Sequence, residues 1–193
     1  MSMQKEYIKM VVVLTAIAMV CGFLLAAVKN FTAARIEQQI LVNVKGPAVL
    51  RVLDTSTNDL FGDRREITIE DRKYVVFVGK KEDKIWATAF ESSGGGFGGD
   101  IGVMVGFNLE TDQLTGIGIL THQETPGLGA RITETSFTDR FKGKPITTVF
   151  KVKKDGGDID ALSGATNSSR GVCEAISKTI KLYPAIKKKV LEN

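Results

Sequence analysis

The chain predicts an α+β fold in which one N-terminal transmembrane helix precedes a largely antiparallel sheet packed with helices. Three observations carry this expectation. Nineteen consecutive uncharged residues run from Met10 to Val28. Five short runs rich in β-branched and aromatic residues lie between Glu66 and Leu120. A segment after Thr166 places Val172, Ala175, Ile176, Thr179, Ile180 and Tyr183 at helical spacing. With 193 residues, 43% hydrophobic and 25% charged, the chain holds one ordinary globular domain beyond its apolar start.

At about 1.5 Å per helical residue the uncharged run is about 28 Å long, enough for a hydrocarbon core of roughly 30 Å. A cleaved signal peptide is the rival reading, since Lys5 and Lys9 form a basic start and Leu25-Ala26-Ala27 offers a small-residue cleavage site. Its apolar core would exceed the usual stretch of about 7–15 residues, so an uncleaved anchor over residues 1–28 is expected. Val20 before Cys21 argues against lipid attachment there. Lys5 and Lys9 face Lys29, Arg35 and Lys45 across the segment, and this count leaves orientation open.

From Phe31 to about Leu53 apolar residues recur near helical spacing, interrupted by Gly46-Pro47. This reads as a helical stalk or linker over 29–59, with a second short helix, before a folded domain over 60–193. Within that domain 66–69, 74–78, 85–90, 101–109 and 114–120 read as a meander of strands, the last two joined tightly at Thr111-Asp112. A polar, Gly-rich loop follows, then a helix over about 135–141, a strand over 146–152 and a turn at Gly156-Gly157. The amphipathic helix over about 166–182 comes next, and Pro184 opens a final basic helix.

Composition excludes several function classes. Net charge is +4 from 26 basic and 22 acidic residues, which is not the footprint of a nucleic-acid binder, and Lys187-Lys188-Lys189 reads as a solvated helix end. A single His and two Cys give no metal set and no disulfide framework. No metal site is expected. Cys21 in the apolar run and Cys173 in the amphipathic helix have no reason to pair, and they fit either redox compartment.

Three stretches are candidate sites. Gly94-Gly95-Gly96-Phe97-Gly98-Gly99 formally satisfies the dinucleotide pattern G-x-G-x-x-G, but that pattern works by presenting pyrophosphate to a helix N-terminus, and here a strand follows. Two readings stand: a tight loop, or close approach of backbone to a flat ligand. The second stretch, Asp160 to Ser169, sets hydroxyls and Gly164 directly before a helix. First-turn N–H groups lack intrahelical partners, so this is either an anion site or an ordinary cap by Ser163 or Thr166. The third, Thr121 to Arg131, is a polar loop after a strand. One His without a nucleophile partner makes it a better binding loop than a catalytic one.

The motif Asp160-x-x-Ser163-Gly164-Ala165-Thr166 resembles the D-x-x-S/T-G-A-T/S signature of covalent FMN-binding domains. The loop His122-x-Glu124-Thr125-Pro126-Gly127-Leu128-Gly129, together with the Phe97 to Phe107 run and the N-terminal helix, resembles the G subunit of the Rnf electron-transport complex. The resemblance implies FMN attached by a phosphoester to Thr166, put there by a separate flavin transferase. Ser163, Gly164, Ala165 and Ser168 would shape the phosphate pocket. Glu124, Thr125, Gly127 and Leu128 would lie against the isoalloxazine. It further implies a single-pass protein of the cytoplasmic (inner) membrane with its domain on the outer, periplasmic side. Its partners would be the other membrane and iron–sulfur subunits of an ion-translocating ferredoxin:NAD oxidoreductase. It would be a redox subunit and not a stand-alone enzyme. The corresponding subunit of the Na+-translocating NADH:quinone reductase shares the flavin motif and is usually longer between anchor and site. A reading from another class, a non-redox extracytoplasmic binding or assembly module, takes the hydroxyl-rich helix start as a cap only. No Ser-His-Asp order supports a hydrolase.

Overall fold

The computed structural model describes residues 2–192 and divides the chain into two units, Met1–Val42 and Asn43–Asn193. In the first, helix α1 spans Ser2–Gln39. Its stretch Lys5–Ala33 is the one helix among the described residues long and apolar enough to cross a membrane, and it buries none of its length. Phe23 and Leu25 are among the side chains it leaves exposed. A π-helical stretch, Ile40–Lys45, follows.

In the second unit helix α2 occupies Gly46–Val52. Gly46-Pro47 thus sits in the first turn of a helix that continues directly from the π-helical stretch, Lys45 itself being helical at φ −79° and ψ −30°, and proline's φ is already helical. Five strands follow in chain order, β1 Arg65–Ile69, β2 Arg72–Lys81, β3 Lys84–Gly95, β4 Asp100–Asn108 and β5 Gln113–Thr121. Each pairs antiparallel with the next, giving the order β1-β2-β3-β4-β5. The meander read from the sequence is present, with longer strands. Its β1–β2 and β2–β3 turns hold two residues each at positive φ, Glu70-Asp71 and Glu82-Asp83, the twist that two-residue hairpins require. At the β4–β5 turn the Asn108 carboxamide oxygen accepts the N–H groups of Glu110 and Thr111, and Asp112 sits at φ +52°.

Strand alternation gives the sheet two apolar faces. On one, Val76, Val78, Phe90, Val103, Val105 and Phe107 pack with Val172, Ile176, Tyr183 and Ile186 of helix α4, Thr166–Glu192. Phe90 stacks on Phe107, and Phe107 on Tyr183, with ring centroids 5.4 and 4.6 Å apart. The opposite parity presents Phe77, Ala87, Ala89 and Met104, all buried together with Ala48, Val49, Val52 and Leu53 of the α2 segment. There α2 lies directly on glycine: a Cβ on Gly118 would stand 2.7 Å from the Ala48 Cβ, and one on Gly106 2.9 Å from the Val52 Cβ. The Thr115 hydroxyl donates to the Val52 carbonyl at 2.5 Å. Residues 46–53 are therefore packed on the sheet.

Two local expectations change. The run 146–152 forms no strand; only Val152 bridges, to Ile159. Its backbone bonds close locally, with Asp158 accepting the Val149 N–H, Ile159 donating to Lys151 and Lys153 donating to Ile159. Pro184 opens no new helix and lies inside α4. The helix continues because Tyr183, Ile186 and Val190 are buried on either side of the proline. Tyr183 and Lys187 also both donate to Asp112, at 2.5 and 2.6 Å. A proline facing solvent loses one backbone bond, and this packing outweighs the loss. The segment 135–141 is helical as expected, α-helix α3 at Thr135–Thr138 and a 3-10 turn at Asp139–Phe141.

Candidate functional site

Three segments meet at the start of α4: the glycine loop after β3, the polar loop after β5, and the 160–169 motif. A buried carboxylate joins them. Glu124, 5% exposed, accepts the backbone N–H groups of Phe97 and Gly98 on Oε1 at 2.8 and 2.9 Å, while its Oε2 accepts the Ser168 hydroxyl. Burial pushes the Glu124 carboxyl up, but the bonds donated by Ser168, Gly98 and Phe97, with the field of His122, prevail and hold it below the usual carboxylate range. Glycines make room for this carboxylate. A Cβ on Gly129 would stand 2.5 Å from Glu124 Oε2, and one on Gly96 would overlap Oε1.

The glycine loop settles into both a turn and a close approach, and the approach is to protein. Gly96 donates to the Gly99 carbonyl at 2.8 Å, with Gly99 at φ +147°. Gly94 lies against the Gly171 carbonyl of α4, and Gly98 against the Gln123 carbonyl. A strand, not a helix, follows, so the dinucleotide pattern has no helix N-terminus to serve.

The start of α4 is closed by Ser169, whose hydroxyl accepts the Leu162 N–H and donates to the Ala165 carbonyl, both at 3.0 Å. Gly164 at φ +77° turns the chain so that Ala165 donates to Leu162. Of the four hydroxyls at 163, 166, 168 and 169, Ser168 and Ser169 are buried and bonded. Ser163 and Thr166 have no hydrogen-bond partner for their hydroxyls among the described residues, so neither is the cap.

Around this junction lies a cleft of about 500 Å³, lined by Phe97, Glu124, Thr125, Leu128, Gly129, Lys154, Gly164, Ala165, Thr166, Asn167 and Ser168. Seven residues singled out from sequence therefore converge: Glu124, Thr125, Leu128, Gly164, Ala165, Thr166 and Ser168. Ser163 and Gly127 are exposed and outside the lining. The lining also takes in Phe97, Gly129 and Asn167, which the three candidate stretches contain without a role of their own, and Lys154, which the sequence places near the motif without saying whether it is near in space. Phe97 is the residue whose role motif reading misses, although the sequence holds a signal for it. A large apolar side chain amid five glycines has little to pack against, and Phe97 is 74% exposed at the cleft. Leu128, 51% exposed, supplies a second apolar wall.

Three cations near the motif have separate fates. Lys153 pairs with Asp160 at 2.8 Å, and Arg170 grips Asp155 through two nitrogens at 2.7 and 2.8 Å. The hydrogen bond from Lys153 holds the Asp160 carboxyl below its ordinary value, and that from Arg170 does the same for Asp155. Lys154 lines the cleft and has no ion-pair partner among the described residues, its charge reaching Asp155 only as a longer-range field. Cys173 is buried outside the cleft, and burial pushes its thiol up to about 12, so it stays protonated and unreactive. The arrangement is a cleft walled in part by Phe97 and Leu128, whose lining also holds Thr166, with no hydroxyl partner among the described residues, and the cation Lys154. Its size lies within the range of about 300–1,000 Å³ that holds cofactors, and it suits a ligand with a flat apolar part and an anionic end.

A family model for the FMN-binding domain matches residues 96–181, which span this cleft entirely. The chain is 32% identical over 191 residues to the G subunit of the ion-translocating oxidoreductase complex from Shewanella amazonensis, covering 92% of this chain and 88% of that protein. It is 28% identical to the protein of the same name from Methanosarcina acetivorans, covering 96% of this chain and 98% of the relative. Among solved structures it is similar to the C subunit of the Na(+)-translocating NADH-quinone reductase from Parabacteroides distasonis. The TM-score is 0.60, with 21% identity over 79% of this chain and 94% of that one. That likeness is one of fold.

Proposed function

Because this chain belongs to the family of ion-translocating oxidoreductase G subunits, we propose that it is a membrane-held electron-transfer subunit carrying FMN on Thr166. The observation that carries the reading is the free hydroxyl. Among the motif hydroxyls 163–169, that of Thr166 is the one that both lines the cleft and has no hydrogen-bond partner among the described residues. Ser168 and Ser169 are held by Glu124 and by backbone, and Ser163 stands outside the lining. Thr166 therefore serves as acceptor of a phosphoester and not as a catalyst.

FMN, when bound, supplies one- and two-electron redox chemistry. The residues that would hold it are Thr166 at the phosphate and Gly164, Ala165, Asn167 and Ser168 around it. Phe97, Thr125, Leu128 and the Glu124 backbone would stand against the ring system. The Glu124 carboxylate is occupied by its three internal bonds, so its part is to position the walls. Ser163 and Gly127 shape the turns on either side, Gly127 at φ +76°. Attachment calls for a flavin transferase as a maturation partner.

Helix α1 would hold the domain at the inner membrane as a single-pass anchor, with the domain on the outer side. There it would exchange electrons with membrane and iron–sulfur subunits of a complex linking ferredoxin and NAD to ion movement. Near-full-length identity to the G-subunit relatives supports that assembly over the quinone-reductase one, to which the likeness is in fold alone.

Intact mass and visible absorption of the denatured protein, after coexpression with a flavin transferase, test the reading. Wild-type chain gains one FMN less one water and turns yellow, and Thr166→Val gains nothing while keeping its fold. Flavin retained by denatured Thr166→Val would move the acceptor elsewhere. A colourless wild type, beside a second acceptor that the same transferase labels, would favour the scaffold reading.

A further inference from the structure

We infer that Lys154, a cleft-lining cation with no ion pair among the described residues, is the positioning residue for the phosphate at Thr166. This deepens the reading above and rests on Thr166 carrying FMN.

The geometry separates Lys154 from its neighbours. Lys153 is committed to Asp160. Arg170 is committed twice, to Asp155 through Nε and Nη2 and to the Asn167 carboxamide oxygen through Nη1 at 3.0 Å. That bracket fastens the 3-10 turn Lys153–Asp155 to the first turn of α4, where Asn167 follows Thr166. The turn is further held by Asp155 donating to Val152 and Gly156 donating to Lys153, and it ends at Gly156 with φ +78°. Lys154 thus stands between two residues whose side chains are paired, on backbone tied to the helical turn bearing Thr166. Lys154 lines the cleft with Thr166 and Asn167.

A phosphoester of threonine and a flavin chain keeps one negative charge at neutral pH. A lysine ammonium is a compact charge on a flexible stem, so it can meet a phosphate oxygen without the fixed two-pronged geometry an arginine demands. The cleft is open to water, and the pairing is therefore salt-sensitive. The walls that face a ring, Phe97 and Leu128, come from the loops after β3 and β5 and carry no charge. The fold accordingly places its cation with the phosphate end.

The experiment compares melting temperatures of the full chain in detergent with and without covalent flavin, at low and high salt, for wild type, Lys154→Gln, Lys154→Arg and Lys153→Gln. Wild type melts higher once loaded, and part of that rise disappears in salt. Lys154→Gln loses the salt-sensitive part, Lys154→Arg keeps it, and Lys153→Gln, the same charge loss next door, keeps it too. The flavin midpoint potential of Lys154→Gln stays at the wild-type value, because the phosphate is remote from the ring. An unchanged rise in Lys154→Gln, an equal loss in Lys153→Gln, or a shifted potential in Lys154→Gln overturns the assignment. Should Lys154→Gln accept no flavin, the loaded wild type and Lys154→Arg decide, and a rise indifferent to salt in both overturns it. Absence of covalent flavin on the wild type is a different failure, that of the Thr166 reading itself.

Discussion

Glu124 does at residue scale what no helix or strand could do: one carboxylate ties two loops and a helix start. Glu124→Ala would strand the Phe97 and Gly98 N–H groups and the Ser168 hydroxyl in a buried site, and a cost of about 2–4 kcal/mol in urea unfolding is expected. The pH dependence follows from its depressed pKa. A carboxyl held below its unfolded value of 4.5 contributes stability that is fully present above that value. The contribution is lost as pH falls from there through the folded value. Glu124→Gln removes it, so unfolding measured between pH ~5 and ~3 should show a shallower loss in the variant than in wild type. The sequence marked Glu124 as a site residue through its loop, but its partners lie 26, 27 and 44 positions away. Nothing local to 124 could show that its carboxylate would be occupied.

Between elements, β3 approaches α4 closely where glycine meets glycine. A Cβ on Gly171 would stand 2.7 Å from the Gly95 carbonyl oxygen. Gly171→Ala should therefore cost about 1–3 kcal/mol in chemical unfolding, from overpacking against backbone that cannot yield. It should also weaken flavin loading, because the same contact sets where α4 begins relative to the glycine loop. Helix α4 offers a prediction of opposite sign. Pro184 is exposed within it, so Pro184→Ala restores a backbone bond to Ile180 and should raise stability by about 1–3 kcal/mol, read as a higher melting temperature. The glycine run was visible in the sequence as a demand for space, but what would fill that space was not. Proline as a helix breaker is a local rule, and here the buried residues 186 and 190 overrule it.

At the scale of the molecule the sheet needs both covers. The α2 segment buries Ala48, Val49, Val52 and Leu53 over Phe77, Ala87, Ala89 and Met104. Each large side chain uncovered forfeits about 1.5–3 kcal/mol, and several together approach the whole stability of a domain, about 5–15 kcal/mol. A fragment of residues 43–193 should melt cooperatively, whereas one of residues 60–193 should not, as followed by circular dichroism. The apolar helix α1 belongs to the other compact unit, so its removal in the longer fragment should leave that melt intact while releasing the protein from membranes.

By itself the sequence determined the parts whose signals are local or periodic. These are the apolar length of α1, the alternation that makes five strands in a meander, the helical spacing of α4, and the hydroxyl motif at its start. Hydrophobic pattern and turn chemistry act between near neighbours, so they are written in adjacent residues. Tertiary structure alone decided that residues 46–53 cover the second face of the sheet, that Phe97 and Lys154 join the cleft, and that the cleft hydroxyl at 166 stays free. Each of these depends on which distant groups arrive to bury a surface or accept a bond. Ser168 finds Glu124 across 44 residues and Ser169 finds Leu162 across 7, and Thr166 remains available because the packed fold brings its hydroxyl no partner among the described residues.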